Sequence, residues 1–458
     1  MNDDPAALLP ELLLLAGAVA GLLTGMFVPR GRQRAVAWIC AAALAAALAA
    51  TVTATVTATG GAAFGSYAPD ALTQAARAVV AGGTLLVIAL VAAEARGHRR
   101  EAEAYVLVML AALGSVLLAG AGDLLVLVPA YLLASIPAYA LAGFGKDAPG
   151  TEAALKYYLM GAFLGVLMLA GVTLLYGLAG ATGYRAAGAA LALAPGAAAA
   201  CGVVLLLAGL LFKAGGVPAH FWVPDVAEGA PVAVAAFVTT VPKIGALAAL
   251  LRVADELGPG GWDVLVAIVA AATMTLGNLA AFHQDDVRRL LAYSTISQAG
   301  YVLVPVAVAQ HTALARPAVL FYLAAYAVTN VGAFAVVAAT GRGTLDGYRG
   351  LGRAAPGLGL ALVVCLLGFA GIPPAAVFVA KVLVFAAAWD GGYAWLAVLV
   401  LVNTVASLYY YLRWVAVVFR GDPPAAPPPG LARAVACVAA VASLALGVGG
   451  GVLLGRAA

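Results

Sequence analysis

Charge is what this sequence has least of: Asp, Glu, Lys and Arg together make up 10% of its 458 residues. Soluble domains carry roughly 25%. A soluble fold of this length would have too little polar surface to face water. Lysine is scarcer still, with five in the chain. The four cysteines, Cys40, Cys201, Cys365 and Cys437, lie far apart in apolar runs. They form no CxxC pair, so neither an iron–sulfur nor a zinc site is suggested. There is no GxGxxG or P-loop, hence no sign of a nucleotide site, and nothing points to nucleic acid. Period-two strands are missing as well, which excludes a transmembrane β-barrel. A cleavable signal peptide would start with basic residues; here Asp3, Asp4 and Glu11 mark the start, so the first apolar run reads as a retained helix.

What is abundant is apolar length. Hydrophobic residues make up 65% of the chain, and their runs reach the ~18 residues that mark membrane-spanning helices. The pattern predicts an all-α polytopic membrane protein with about 14 spans, the first near 7–28 and the last near 431–455. The seventh, near 197–222, contains Gly215, Gly216 and Pro218; the twelfth, near 357–388, contains Pro373 and Pro374. Both read as broken helices. The twelfth is also too long for one straight crossing. They are five spans apart and so cross in opposite directions. Interrupted helices at matching places in two inverted halves point to a transport site. The expected division is an N-terminal three-helix segment (1–103), a first transport repeat (104–253), a second (254–420) and a C-terminal helix (421–458).

Basic residues test the count, because loops on the inner side carry most Lys and Arg. With both termini outside, inner segments hold Arg30, Arg32, Arg34, Arg96, Arg99, Arg100, Lys146, Lys156, Arg288, Arg289, Arg342, Arg349, Arg353, Arg413, Arg420 and Arg433. Outer segments hold Arg77, Arg185, Arg252, Arg316 and Arg456. The bias of 16 against 5 persists to the end of the chain, which an error in helix number would not allow.

Three basic residues remain, Lys213, Lys243 and Lys381, all within apolar spans. An ionisable group at mid-bilayer costs about 2.5–3.5 kcal/mol and usually marks an ion or proton path. Burial can bring a lysine into the range where it exchanges protons, which arginine cannot reach. Lys243 follows Pro242 in the middle of its span, beyond snorkelling distance from either surface. Lys381 lies seven residues past Pro374. Lys213 ends a 17-residue apolar run, so snorkelling competes with an interior position, which the residues through Trp222 favour. Under the repeat the two are not equivalent, since Lys213 precedes its break and Lys381 follows its own. His220 suits a relay or an interfacial place beside Trp222. Asn330 and Asn403 read as bridges between helices, and Asp225 and Glu228 as helix-end charges.

Several stretches resemble the antiporter-like membrane subunits of respiratory complex I. They are Phe212-Lys-Ala-Gly-Gly-Val-Pro-Ala-His-Phe-Trp222, Pro224-Asp-Val-Ala-Glu-Gly-Ala-Pro231, Arg289-Leu-Leu-Ala-Tyr-Ser-Thr-Ile296 and Gly371-Ile-Pro-Pro374. Leu9-Pro-Glu-Leu12, Val241-Pro-Lys243, Glu152-Ala-Ala-Leu-Lys-Tyr-Tyr158 and the lysine at Lys381 favour the N-type subunit of NADH-quinone oxidoreductase over the L and M types. The resemblance covers nearly the whole chain. It implies a multi-pass subunit of the inner (plasma) membrane that moves protons through Lys213, Lys243, Lys381 and His220. The redox chemistry, with NADH, FMN, iron–sulfur clusters and quinone, would belong to other subunits, and this chain would hold no cofactor. Its partners would be lipid and other membrane subunits, antiporter-like and small. The alternatives are a subunit of a multisubunit cation/proton antiporter and a non-pumping structural paralogue. One position departs from the family: Leu132 stands where the fifth helix usually carries a glutamate. The seventh-helix lysine is thus expected to lack its usual ion-pair partner.

Overall fold

The computed structural model describes residues 5–56, 65–257, 262–422 and 425–457. Its helices run α1 (Leu9–Phe27), α2 (Arg34–Val56), α3 (Ala71–Glu94), α4 (Glu101–Gly120), α5 (Leu124–Ala142) and α6 (Ala148–Ala179). Then come α7 (Tyr184–Leu191), α8 (Gly196–Ala214), α9 (Trp222–Gly229), α10 (Val232–Glu256), α11 (Trp262–Ala281) and α12 (Val287–Ala307). The chain ends with α13 (Ala315–Thr340), α14 (Leu351–Ala354), α15 (Pro356–Ala370), α16 (Ala376–Asp390), α17 (Ala394–Phe419) and α18 (Leu431–Ala457). Among the described residues β-pairing is limited to isolated bridges such as Asp123 with Gly183 and Asp286 with Thr344.

Among the described residues thirteen helices are long and apolar enough to cross a membrane. The other expected crossing, the twelfth, is divided between α15 and α16, each of 15 residues. At 1.5 Å per residue neither spans a ~30 Å hydrocarbon core alone. The seventh is shorter than its apolar run: α8 stops at Ala214, and Trp222 opens the separate helix α9. The eight-residue α7 was not anticipated.

Two surface cavities show that the turns alternate between sides. One, of 390 Å³, is lined by Arg30, Arg99, Arg100 and Lys146, from the turns α1/α2, α3/α4 and α5/α6. The other, of 540 Å³, is lined by Tyr67, Asp70 and Gly122 from the intervening turns, by Tyr184 and Arg185 of α7 and by Arg252 of α10. On this second side Arg252 and Arg316 both pair with Asp70. Burial pushes the Asp70 carboxyl up, but the Arg252 hydrogen bonds and charge outweigh it, and the group lies below the usual carboxylate range. On the first side Asp225 pairs with Lys156 and Arg289, and Glu228 pairs with Arg289. Those acids are helix-end charges, as read from the sequence.

Burial is graded from the centre outward. The membrane-crossing part of α10 is wholly buried and that of α12 nearly so, while α1, α2 and α6 turn most of their surface outward. Lys243 therefore sits on the most enclosed element of the fold. Two basic residues correct the loop assignment: Arg252 lies buried inside α10, and Arg77 lies inside α3, buried against Glu11 of α1. Arg77 Nε donates to Glu11 Oε1 at 2.7 Å and Nη2 to Oε2 at 2.7 Å, while the Tyr67 hydroxyl donates to the same carboxylate at 2.6 Å.

Candidate functional site

The two breaks share one local geometry. Each half-helix ends on a glycine with positive φ, Gly215 at 73° and Gly371 at 83°. That conformation is open to glycine at little cost and closes a helix by the Schellman pattern. In α8, Gly216 N–H donates to Leu211 O (2.8 Å) and Gly215 N–H to Phe212 O (3.1 Å). In α15, Ile372 N–H donates to Leu367 O (3.0 Å) and Gly371 N–H to Gly368 O (2.8 Å). Three residues past each glycine stands a cis proline, Pro218 and Pro374.

All three buried lysines gather at these two helix ends. Lys213 lies in the last turn of α8, wholly buried, and its Nζ donates to Ala134 O of α5 at 3.3 Å. Lys243, from α10, lays its ammonium against the end of the same half-helix; a Cβ added at Gly215 would lie 2.7 Å from Lys243 Nζ. Lys381, on α16, reaches back across its own break and donates to Phe369 O at 2.8 Å. Its carbon stem packs on Gly371. Among the described residues none of the three lysines pairs with a carboxylate. Helix C-termini carry roughly half a negative charge from carbonyls without intrahelical partners. Here, then, half-helix ends face Lys243 and Lys381 in place of acids, and Lys213, in the last turn of α8, meets a carbonyl of α5.

Aromatic rings complete the surroundings. Lys213 Nζ is 5.5 Å from the ring centres of Tyr139 and Tyr157 and 5.7 Å from that of Tyr131. Tyr157 stacks on Trp222 at 4.2 Å, and Trp222 Nε1 donates to Phe212 O at 2.9 Å, on the end of α8. Lys381 Nζ lies 4.5 Å from the centre of the Tyr301 ring. Leu132, the departure noted in the sequence, is 42% exposed on α5, while its neighbour Tyr131 is 1% exposed and turns to Lys213.

Two buried clusters of hydroxyls and amides lie between the breaks, one around Asn330 on α10 and α13 and the other around Gln298 beside Lys381. Asn330 Nδ2 donates to Thr239 Oγ1 (3.0 Å) and Thr240 Oγ1 (2.7 Å), so Asn330 does bridge α13 to α10. Asn403 bridges α17 to α11 through Asn278, whose Nδ2 donates to Asn403 Oδ1 at 2.9 Å. Tyr326 donates to Thr239 O at 2.5 Å and to Thr295 Oγ1 at 3.3 Å. Gln298 Nε2 donates to Phe369 O at 3.4 Å, the carbonyl that also holds Lys381. Tyr322 donates to Gln298 Oε1 at 2.5 Å.

His220 lies in the first break, buried, with its ring 4.5 Å from Phe221, and makes no hydrogen bond to any of the lysines. Tyr131, Tyr139, Gln298 and Tyr301 carry no signal of their own in the sequence, and Tyr157 stands there only within the Glu152–Tyr158 stretch. No group of three or more His, Cys, Asp or Glu among the described residues is placed to hold a metal ion.

Comparison with known proteins now bears on this geometry. Residues 121–407 match the family described as NADH:quinone oxidoreductase/Mrp antiporter, TM. The chain is 53% identical to NADH-quinone oxidoreductase subunit N 1 of Streptomyces griseus, over 99% of this chain and 98% of that protein. It is 50% identical to NADH-quinone oxidoreductase subunit N of Mycobacterium sp. (strain JLS), over 97% and 96%. A chain of respiratory complex I from Thermus thermophilus superposes with a TM-score of 0.85 at 37% identity, covering 97% of this chain and 98% of that one. A chain of the Mrp complex from Dietzia sp. superposes with a TM-score of 0.86 at 23% identity, over 98% and 95%, and shares the fold.

Proposed function

This chain belongs to the NADH:quinone oxidoreductase/Mrp antiporter family of membrane proteins, and on that premise we propose that it is the N-type proton-translocating membrane subunit of an NADH-quinone oxidoreductase. Electrons pass from NADH to quinone elsewhere in the complex, and this chain holds no cofactor. The observation that carries the assignment of a proton path is the placement of Lys213, Lys243 and Lys381 on the C-terminal ends of two half-helices, buried and without acids. A lysine so placed can take up and release a proton without first breaking an ion pair. The helix end favours the charged form and burial the neutral one, the two opposing influences that a proton carrier needs.

In this reading the residues divide into two transport repeats, 104–253 and 254–420, each with one break. The proton moves from Lys213 to Lys243, both beside the end of α8, then past the Thr239–Asn330–Thr295–Tyr326 cluster to Gln298, which shares the Phe369 carbonyl with Lys381. His220 contributes from inside the first break. The side bearing Arg30, Arg100 and Lys146 faces the cytoplasm by the positive-inside rule, with both termini on the outer side of the plasma membrane. The antiporter reading shares this fold, but the relatives at 50% identity and above named here are N-type subunits. Copurification with NADH dehydrogenase subunits, rather than sodium-dependent pH exchange without NADH, separates the two.

Lys243 provides the test. Lys243→Met keeps roughly the volume and removes the charge, so the complex is expected to assemble and oxidise NADH. Protons pumped per NADH should fall, since the path through this chain loses a carrier. Lys243→Arg should also impair pumping, because guanidinium does not release its proton. A Lys243→Met complex that assembles and pumps normally would remove this residue from the path.

A further inference from the structure

We infer that Tyr131, Tyr139 and Tyr157 form an aromatic cage that holds the Lys213 ammonium in position, doing with ring faces what a carboxylate would otherwise do. The inference rests on the reading of Lys213 as a proton carrier and adds to it three positioning residues. Two of the rings come from α5, at positions eight residues apart, and the third from α6. All three ring centres lie 5.5–5.7 Å from Nζ, inside the ~6 Å within which a ring quadrupole attracts a cation. The only hydrogen-bond acceptor the described residues offer Nζ is Ala134 O, at a long 3.3 Å. One weak carbonyl bond does not satisfy three ammonium protons, so the rings supply much of the remaining attraction. The cage is itself braced. Tyr157 stacks on Trp222 and meets Tyr139 edge to face with centres 4.6 Å apart. Such bracing aims the rings before the charge arrives.

A ring-face cage and an ordinary structural cluster make different predictions, because phenylalanine keeps the face and loses only the hydroxyl. Tyr139 is the first target, being only partly buried. The assembled enzyme is measured in membrane vesicles, with NADH oxidation as the check on assembly and protons pumped per NADH as the readout. Tyr139→Leu and Tyr131→Leu are expected to reduce pumping at least several-fold, and Tyr139→Phe and Tyr131→Phe to restore most of it. In a Lys213→Met background, which has no charge to hold, the leucine variants should cost nothing further. Equal impairment by Phe and Leu would overturn the cage in favour of the hydroxyls. Normal pumping by both leucine variants, with Lys213→Met impaired, would overturn the cage while leaving the lysine's role intact. Normal pumping by Lys213→Met would overturn the lysine's role and the cage with it. Should a leucine variant fail to assemble, the same variant in the Lys213→Met background decides: assembly there supports the cage, and failure there marks a structural role and overturns it.

Discussion

A guanidinium and a carboxylate meet in the dry seam between α1 and α3, where Arg77 and Glu11 are both buried. Breaking such a pair by removing one partner typically costs about 3–5 kcal/mol, because the other charge stays buried, whereas replacing both by apolar residues is often neutral. Arg77→Met alone should therefore sharply lower the yield of folded, assembled subunit. Arg77→Met with Glu11→Leu should recover it, as read by thermal unfolding of the purified complex; a double variant as unstable as the single would disprove the pairing argument. The same pair shows where residue-level reading stops. Lys243 and Lys381 were legible because an ionisable side chain deep in an apolar run has few explanations. Arg77 sits six residues into its span and read as a flank, because its partner is 66 positions away. The tyrosines around Lys213 were illegible for another reason: a tyrosine is ordinary in a membrane helix until a charge is found beside it.

Helices came through the sequence well and their interruptions nearly as well, since a glycine followed by a proline cannot continue a helix. What periodicity could not tell was where the chain goes next. Apolar residues persist from Ala214 to Trp222, so the seventh span was drawn through its own break, while α9 is a new helix. Three glycines turn this into a graded test. Gly180, Gly215 and Gly371 all have positive φ, where an alanine costs roughly 1–2 kcal/mol of backbone strain. A Cβ at Gly180 meets nothing within 4 Å, at Gly371 it meets the Lys381 stem at 3.0 Å, and at Gly215 it meets Lys243 Nζ at 2.7 Å. The expected order of thermal destabilisation is Gly180→Ala, then Gly371→Ala, then Gly215→Ala. Only the last two should lower pumping beyond their effect on assembly. Equal losses at all three would mean that the lysines do not rest on the break glycines.

At the scale of the whole molecule, the tally of basic residues predicts helix number and sidedness, and the fold brings Arg30, Arg100 and Lys146 together on one side. Cysteines placed in the Arg342–Arg353 loop should label from the cytoplasmic side alone; labelling from the periplasmic side would invert the orientation. The same alternation fixes the directions of the half-helices. α8 starts on the Arg252 side, beside Tyr184 and Arg185. α15 starts on the opposite side, because Val287 at the start of α12 donates its N–H to Gly343 O, in the turn leading to α15. The two broken helices thus point at opposite leaflets. In electrical terms they are a pair of dipoles set against each other. A voltage across the bilayer that favours one disfavours the other, so the responses of the two largely cancel. The ~2.3 kcal/mol per elementary charge that 100 mV supplies then falls on whatever charge is free to move between them.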